Sequence, residues 1–240
     1  MSGHSKWATT KRAKAAVDAK RGAVFTKIAK LITVAARTGG DPSANFSLRI
    51  AIDKAKAINM PKDNIDRAVK RGTGEAGGAQ IEELTYEGIG PAKVQFIIKC
   101  LSDNKNRAAA EIRHLFSKSG GTFSTVIWNF TQRGIIMIEQ AEIIDKKLTD
   151  ENFELELIDA GAEDIKKEAE GMTIYTSAAD FQKTKQFLEK KDIKTDSAEI
   201  EYIAKEIANL NDEEKNQVEK FIEELDNNED VSDYYTNVNL

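Results

Sequence analysis

KVQFIIKCLSDNKNRAAAEIRHLFSKSGGTFSTVIWNF, residues 93–130, decides the fold because its hydrophobic period changes twice. Lys93 to Leu101 is a nearly continuous apolar run of strand length, which suits a central place in a sheet. Asp103 predicts a helix cap, and Ala108, Ile112, Leu115 and Phe116 recur at helical spacing before Lys118. Gly120-Gly121 stops that helix, and Thr122 to Phe130 returns to strand character. Upstream, Ile81 to Gly90 reads as another strand. The class is therefore α+β. These elements are too few to close a sheet alone, so the chain must return to them. The acidic helix Asn211 to Leu225 and a last strand, Val231 to Val238, are the segments that would do so.

That return makes residues 134–204 an insertion. Ile135 to Glu139 reads as strand, Asp150 to Ala160 as helix, and Ala162 to Lys166 and Met172 to Thr176 as short strands. Helix Ala178 to Lys190 and strand Ser197 to Ile203 complete a βαββαβ order, which is the ferredoxin-like arrangement.

Toward the N-terminus the pattern is helical. Phe25, Ile28, Leu31, Ile32 and Ala35 share a face between Gly22 and Thr38, and Gly39-Gly40 supplies a stop. Asp41-Pro42 predicts a second start, with Leu48, Ala51 or Ile58, Ile52 and Ala55 inward as far as about Asn59. Met60-Pro61 breaks it, and a third helix covers Pro61 to Arg71. Gly72 to Gly78, GTGEAGG, reads as a linker. The expected architecture is a three-helix N-terminal domain followed by two α+β (ferredoxin-like) domains, the third inserted into the second. The expected boundaries are 1–80, with Met1 to Lys20 as a basic arm, then 81–133 plus 205–240, then 134–204.

Charge divides the chain more sharply than its net of −5 suggests. Residues 1–80 carry +10, residues 81–138 carry +2, and residues 139–240 carry −17. Every arginine lies at or before Arg133. Lysine and arginine that neutralise phosphates release counterions, so concentrated positive charge points to nucleic acid without implying sequence preference. A solvated lysine face is the bland alternative. Here the charge continues into the arm, where Trp7 beside Lys6 can stack on a base. For the acidic part, solubility is the simple reading; repelling nucleic acid or docking on a basic protein are the sharper ones.

Other classes find little support. Cys100 is the only cysteine, and His4 and His114 lie at no metal-ligand spacing, so neither a metal nor another cofactor is expected. Cys100 ends a buried-looking strand and reads as structural. Gly72-Thr73-Gly74 follows a helix and lacks the lysine of a phosphate loop. Asp212, Glu213 and Glu214 open a helix, where its dipole favours carboxylates. With no triad or nucleophile elbow, no enzymatic activity and no small-molecule substrate are expected. No apolar run is long enough to span a bilayer, and Met1 to Thr10 is too polar for a signal peptide. A cytoplasmic, membrane-free protein is expected.

Several long motifs carry a resemblance: MSGHSKW at 1–7, DAKRGAVFTKIAKLITVAARTGGDP, RIAIDKAKAINMPKDNIDRAVKRGTG, YEGIGP and CLSDNKNRAAAEIRHLFSKSGG. Together they resemble the YebC/PmpR family, most densely over residues 1–121. That family includes bacterial transcriptional regulators and the mitochondrial translational activator of cytochrome oxidase subunit I. The resemblance implies a helical domain plus two α+β domains, the third inserted into the second. It implies DNA-binding regulation of transcription, or alternatively work at the ribosome on rRNA or tRNA, easing elongation through consecutive prolines. Carried onto matching positions, the implied nucleic-acid contacts are Lys6, Trp7, Lys11, Lys14, Lys20, Arg21 and Lys27. Lys54, Lys56, Lys62, Arg67, Lys70 and Arg71 follow, and the DNKNR turn adds Asn104, Asn106 and Arg107. The chain departs from the family where a second glycine pair usually follows YEGxGP, having Ala92 and Lys93 instead. It also lacks a Gly-Ser-Val after Gly121, and has TKRAKAA where a His-Arg-Lys pattern is common.

Overall fold

The computed structural model describes residues 21–240, which contain eight α-helices and two four-stranded sheets. The α+β class is as expected. Two compact units form: 131–203, and 21–130 together with 204–240.

Three helices begin the described chain: α1 (Arg21–Ala35), α2 (Phe46–Ala57) and α3 (Lys62–Gly72). Ile28, Ile32, Leu48, Ala51, Ala55, Met60, Ile65 and Ala68 bury together between them. A short 3-10 turn, Ala36–Thr38, extends α1, and its tighter winding buries Ala36 beside the partly buried Ala35. The start expected at Asp41-Pro42 is corrected. Helix α2 begins at Phe46, and Asn45 is its cap, accepting the Leu48 N–H at 3.1 Å. The Asn45 amide nitrogen also lies 2.8 Å from the carbonyls of Ala35 and Gly39. An aspartate can accept but cannot donate, so only the asparagine can close both ends of this loop. Asp41 instead accepts the Ser43 N–H at 2.8 Å. Gly72 belongs to α3 rather than a linker, and it packs so close to α1 that a Cβ there would collide with the Thr33 carbonyl and Ala36.

The first sheet grows from a hairpin. β1 (Glu82–Ile89) pairs antiparallel with β2 (Gln95–Ser102), and α4 (Lys105–Lys118) follows. β3 (Thr122–Phe123) joins the β1 edge. The last elements, α8 (Asp212–Asn227) and β8 (Val231–Thr236), come from the far end of the chain, and β8 pairs with β2. The order is β3-β1-β2-β8, reached by a ββαβ start and an αβ return. Phe96, Ile98 and Cys100 of β2 pack with Ile112 and Phe116 of α4 and Val218, Phe221 and Leu225 of α8. The Phe96 and Phe221 rings meet edge-on at 4.9 Å.

Two readings in this region are corrected. The cap of α4 is Asn104, which accepts the Arg107 N–H at 3.0 Å, while Asp103 pairs with the Arg107 guanidinium at 3.1 Å. The expected strand Thr122 to Phe130 stops after Phe123 and gives way to a 3-10 turn, Ile127–Asn129. The Glu87 carboxylate accepts the N–H groups of Val126 and Ile127, each at 2.8 Å, and this bends the chain out of the sheet.

In the inserted unit the chain runs β4 (Phe130–Glu139), α5 (Gln140–Lys146), α6 (Glu151–Asp159), β5 (Ala162–Glu168), β6 (Gly171–Ser177), α7 (Phe181–Lys190) and β7 (Ser197–Ala204). Its sheet order, β5-β6-β4-β7, is ferredoxin-like, with β6 antiparallel to both neighbours. Helix α5 was not expected. It spans seven residues and buries little beyond Ile143, too short for a period to show.

Candidate nucleic-acid interface

The structure sorts the implied contact residues into three groups. Lys6, Trp7, Lys11, Lys14 and Lys20 lie outside the described residues, and Arg21 is the first residue of α1. A second group is committed within the molecule. Lys27 of α1 donates to the Asp226 carbonyl at 2.9 Å, and Lys54 of α2 lies 3.6 Å from the Asp233 carboxylate. Arg107 lies 2.9 Å from Asp230 and 3.1 Å from the Ser102 hydroxyl. Asn104 spends its side-chain oxygen on the α4 cap.

The third group faces solvent. Lys56 on α2 lies 3.6 Å from its exposed neighbour Asp53. On α3, Lys62, Arg67, Lys70 and Arg71 are all exposed. Their placement follows from the sequence: Ile65, Ala68 and Val69 turn inward, which forces the remaining positions outward. Arg67, Lys70 and Arg71 stand three and four residues apart and so share one face. Arg67 is steadied by the Asp63 carbonyl at 3.2 Å and by the Asn64 side-chain oxygen. Asn106 is exposed on the first turn of α4.

At its end, α3 meets the DNKNR turn. Arg71 and Arg107 line the same cleft of 590 Å³, together with Lys30, Asp103, Glu111 and Asp230. Asp230 organises it. Its carboxylate sits 2.7 Å from Lys30 Nζ, 2.9 Å from Arg107 and 2.8 Å from the Ser102 hydroxyl. Burial pushes this carboxyl upward, but hydrogen bonds from Lys30, Arg107 and Ser102 outweigh burial and hold it below its ordinary value of 3.8. The cleft therefore sets Arg71 beside a network in which Lys30 and Arg107 neutralise Asp230, with Asp103, Glu111 and Glu229 also in its lining.

Some features were not legible beforehand. Lys30 was simply off the apolar face of its helix, and nothing in the sequence paired it with Asp230, 200 residues away. Trp128, read as part of a strand, is 57% exposed in the 3-10 turn, with its indole N–H held by the Thr125 carbonyl at 3.1 Å. Cys100 matches its structural reading: it is fully buried, and burial pushes its thiol up to about 12, so it is no nucleophile at neutral pH. Among the described residues no cluster of His, Cys, Asp or Glu could hold a metal, and no helix is long and apolar enough to cross a membrane.

Comparison with known proteins gives a consistent result. Residues 5–75 match the TACO1/YebC protein N-terminal domain, and residues 81–238 match the TACO1/YebC second and third domain. A protein of Syntrophus aciditrophicus is 47% identical over 246 residues, covering 100% of this chain and 96% of that one. A protein of Thermoanaerobacter pseudethanolicus is 45% identical, covering 100% and 98%. Both are named probable transcriptional regulatory proteins. The crystal structure of a conserved hypothetical protein from Aquifex aeolicus superposes with a TM-score of 0.78 at 35% identity, over 93% of this chain and 92% of that one.

Proposed function

The chain belongs to the TACO1/YebC family, and from that membership we propose that it is a non-enzymatic transcriptional regulator that contacts DNA through its basic N-terminal helices. The carrying observation is the exposed cationic face of α3, where Arg67, Lys70 and Arg71 lie side by side and Arg71 reaches the cleft shared with Arg107. Cations arranged along a helix meet successive phosphates, and each neutralised phosphate releases counterion. The names of the relatives in Syntrophus and Thermoanaerobacter support regulation of transcription as the setting. The test is titration of duplex DNA at several salt concentrations. Micromolar or tighter binding that weakens steeply with salt supports the reading; no binding at low salt removes it.

One observation is equally consistent with a second reading, contact with ribosomal RNA or tRNA in support of translation. Asn64 is the only amide side chain on α3, and its oxygen is occupied by Arg67. Reading DNA bases normally takes Arg, Asn or Gln aimed at base edges in the major groove. With Arg67 held by its own helix and the one amide oxygen occupied, Lys70 and Arg71 suit a phosphate backbone of either kind. Sedimentation of the protein in DNase-treated lysate separates the two. Co-migration with ribosomal particles that fades with salt favours translation, and a protein that remains at the top of the gradient favours DNA.

A further inference from the structure

Helix α6 of the inserted unit turns a face to solvent that its own fold does not use. Phe153 and Leu157 anchor the helix in the core, at 5% and 0% exposure. Leu155 and Ile158 point the other way and are 59% and 55% exposed. They are large aliphatic side chains three residues apart, so they form one contiguous patch. Glu151 and Asp159 lie four residues either side of Leu155 on the same face, at opposite ends of the helix. The rise of an α-helix separates these carboxylates by about 12 Å, with the apolar pair between them.

The charge of this helix is one-sided. Asp150, Glu151, Glu154, Glu156 and Asp159 fall within ten residues that contain no lysine or arginine. Two are neutralised locally: Glu154 by Lys167, and Glu156 by Lys191 at 2.7 Å. Asp150 is the helix cap and accepts the Phe153 N–H at 2.8 Å. Lys183 reaches the Asp159 backbone carbonyl at 2.7 Å rather than its carboxylate. None of the ion pairs among the described residues uses Glu151 or Asp159. The carboxylates that remain are the two bracketing Leu155 and Ile158.

We propose that this face of α6 is a docking surface for a basic amphipathic helix of a protein partner, whose apolar residues cover Leu155 and Ile158 while flanking arginines or lysines meet Glu151 and Asp159. Charge complementarity selects this occupant. A nucleic-acid strand would be repelled by the carboxylates. A second copy of α6 would bring like charges together. Burying the two aliphatic side chains provides the apolar contact, and the bracketing carboxylates fix polarity and register.

The test uses the full-length protein and a fluorescein-labelled synthetic helical peptide of sixteen residues or so, with leucines at three-and-four spacing and arginines on both flanks. Anisotropy titration should give saturable binding. A scrambled peptide of identical composition should bind at least tenfold more weakly. Leu155→Ser with Ile158→Ser should weaken binding of the designed peptide tenfold or more. Glu151→Gln with Asp159→Asn should weaken it several-fold and flatten its salt dependence. These side chains are exposed, so the variants should keep the melting curve of the parent, which circular dichroism checks directly. Equal binding of the scrambled peptide, or unchanged binding by both variants, overturns the proposal. Concentration-dependent self-association that the Leu155/Ile158 variant abolishes would assign the face to a second copy instead, and would overturn it equally.

Discussion

Lys30 Nζ lies 2.7 Å from the Asp230 carboxylate, so a helix at the start of the described chain is tied to the turn before its last strand. Asp230 is 5% exposed at its side chain and is shared with Arg107 and Ser102, so three segments converge on one charge. Replacing one member of a buried pair leaves the other without compensation. We expect Asp230→Ala to cost about 2 kcal/mol, because Lys30 and Arg107 both lose a charged partner while Arg107 keeps Asp103 and Lys30 keeps the Glu229 carbonyl. Lys30→Ala should cost less, since Arg107 still serves the carboxylate. Urea unfolding of both single variants and the double variant gives the coupling. A strictly additive cycle would mean that the close approach contributes nothing.

The same carboxylate sets an acid limit. Its folded value is held below 3.8, so its contribution is complete above that ordinary value and is lost as pH falls through the lower folded one. Stability measured from pH 6 to pH 2 should therefore fall less steeply in Asp230→Asn than in the parent. Parallel curves would show that other carboxylates govern acid unfolding.

Asn129 joins the two strands of chain that lead into and out of the inserted unit. It is 2% exposed, accepts the Glu206 N–H at 2.9 Å, and its amide lies 2.7 Å from Gln95 Oε1 and 3.1 Å from the Glu206 carbonyl. Asn129→Ala removes these bonds from a half-buried Gln95 and an exposed Glu206, at a cost of about 1 kcal/mol. Limited proteolysis should then cut faster near Ser124 to Phe130 and near Lys205 to Ala208. An unchanged cleavage pattern would mean that the backbone bond from Lys205 N–H to the Asn129 carbonyl, at 2.7 Å, suffices alone.

What was legible in the sequence follows the range of the forces involved. Helical and strand periods are local, so the helices with Ile28 and Ile32, or with Ile112 and Phe116, were readable from spacing. Caps depend on which polar residue can also serve its surroundings. Asn45 displaced Asp41 for that reason, and Asn104 took the cap of α4 while Asp103 paired with Arg107. The end of β3 depends on Glu87, nearly forty residues upstream, and no local pattern carries that information. The site divides in the same way. Exposure of Arg67, Lys70 and Arg71 follows from the inward residues of their own helix, whereas the commitment of Lys27, Lys54 and Arg107 to acidic residues near the C-terminus depends on tertiary contact.

The turn at Pro91–Lys93 places two non-glycine residues in the left-handed region, Ala92 at φ 53° and Lys93 at φ 59°. These are the positions where the resembling family usually has glycine. A Cβ in that region costs about 1–2 kcal/mol per residue, offset in part by the greater unfolded entropy of glycine. Lys93 is exposed, so Lys93→Gly should stabilise the protein by about 0.5–1 kcal/mol. Ala92 packs against the core of the first sheet, so Ala92→Gly gives up methyl burial and should be close to neutral. Urea midpoints measure both. A destabilised Lys93→Gly would show that the lysine stem makes a contact worth more than the relieved strain.

The division between committed and exposed cations predicts how nucleic-acid affinity should respond to substitution. Arg67, Lys70 and Arg71 face solvent together, so their joint replacement by glutamine should weaken binding across sequences and lower the salt slope by about one per cation that met a phosphate. Lys54 already lies 3.6 Å from Asp233, a partly exposed pair whose loss should cost less than about 1 kcal/mol of stability. Lys54→Gln should therefore leave both affinity and salt slope nearly as they were. If Lys54→Gln instead lowers the slope as a lysine of α3 would, its pair with Asp233 must open when nucleic acid binds. Phosphate would then replace the carboxylate, and Asp233→Asn should tighten binding by freeing the lysine beforehand. Measuring the two variants under identical salt series decides between a fixed cationic face and one that exchanges partners.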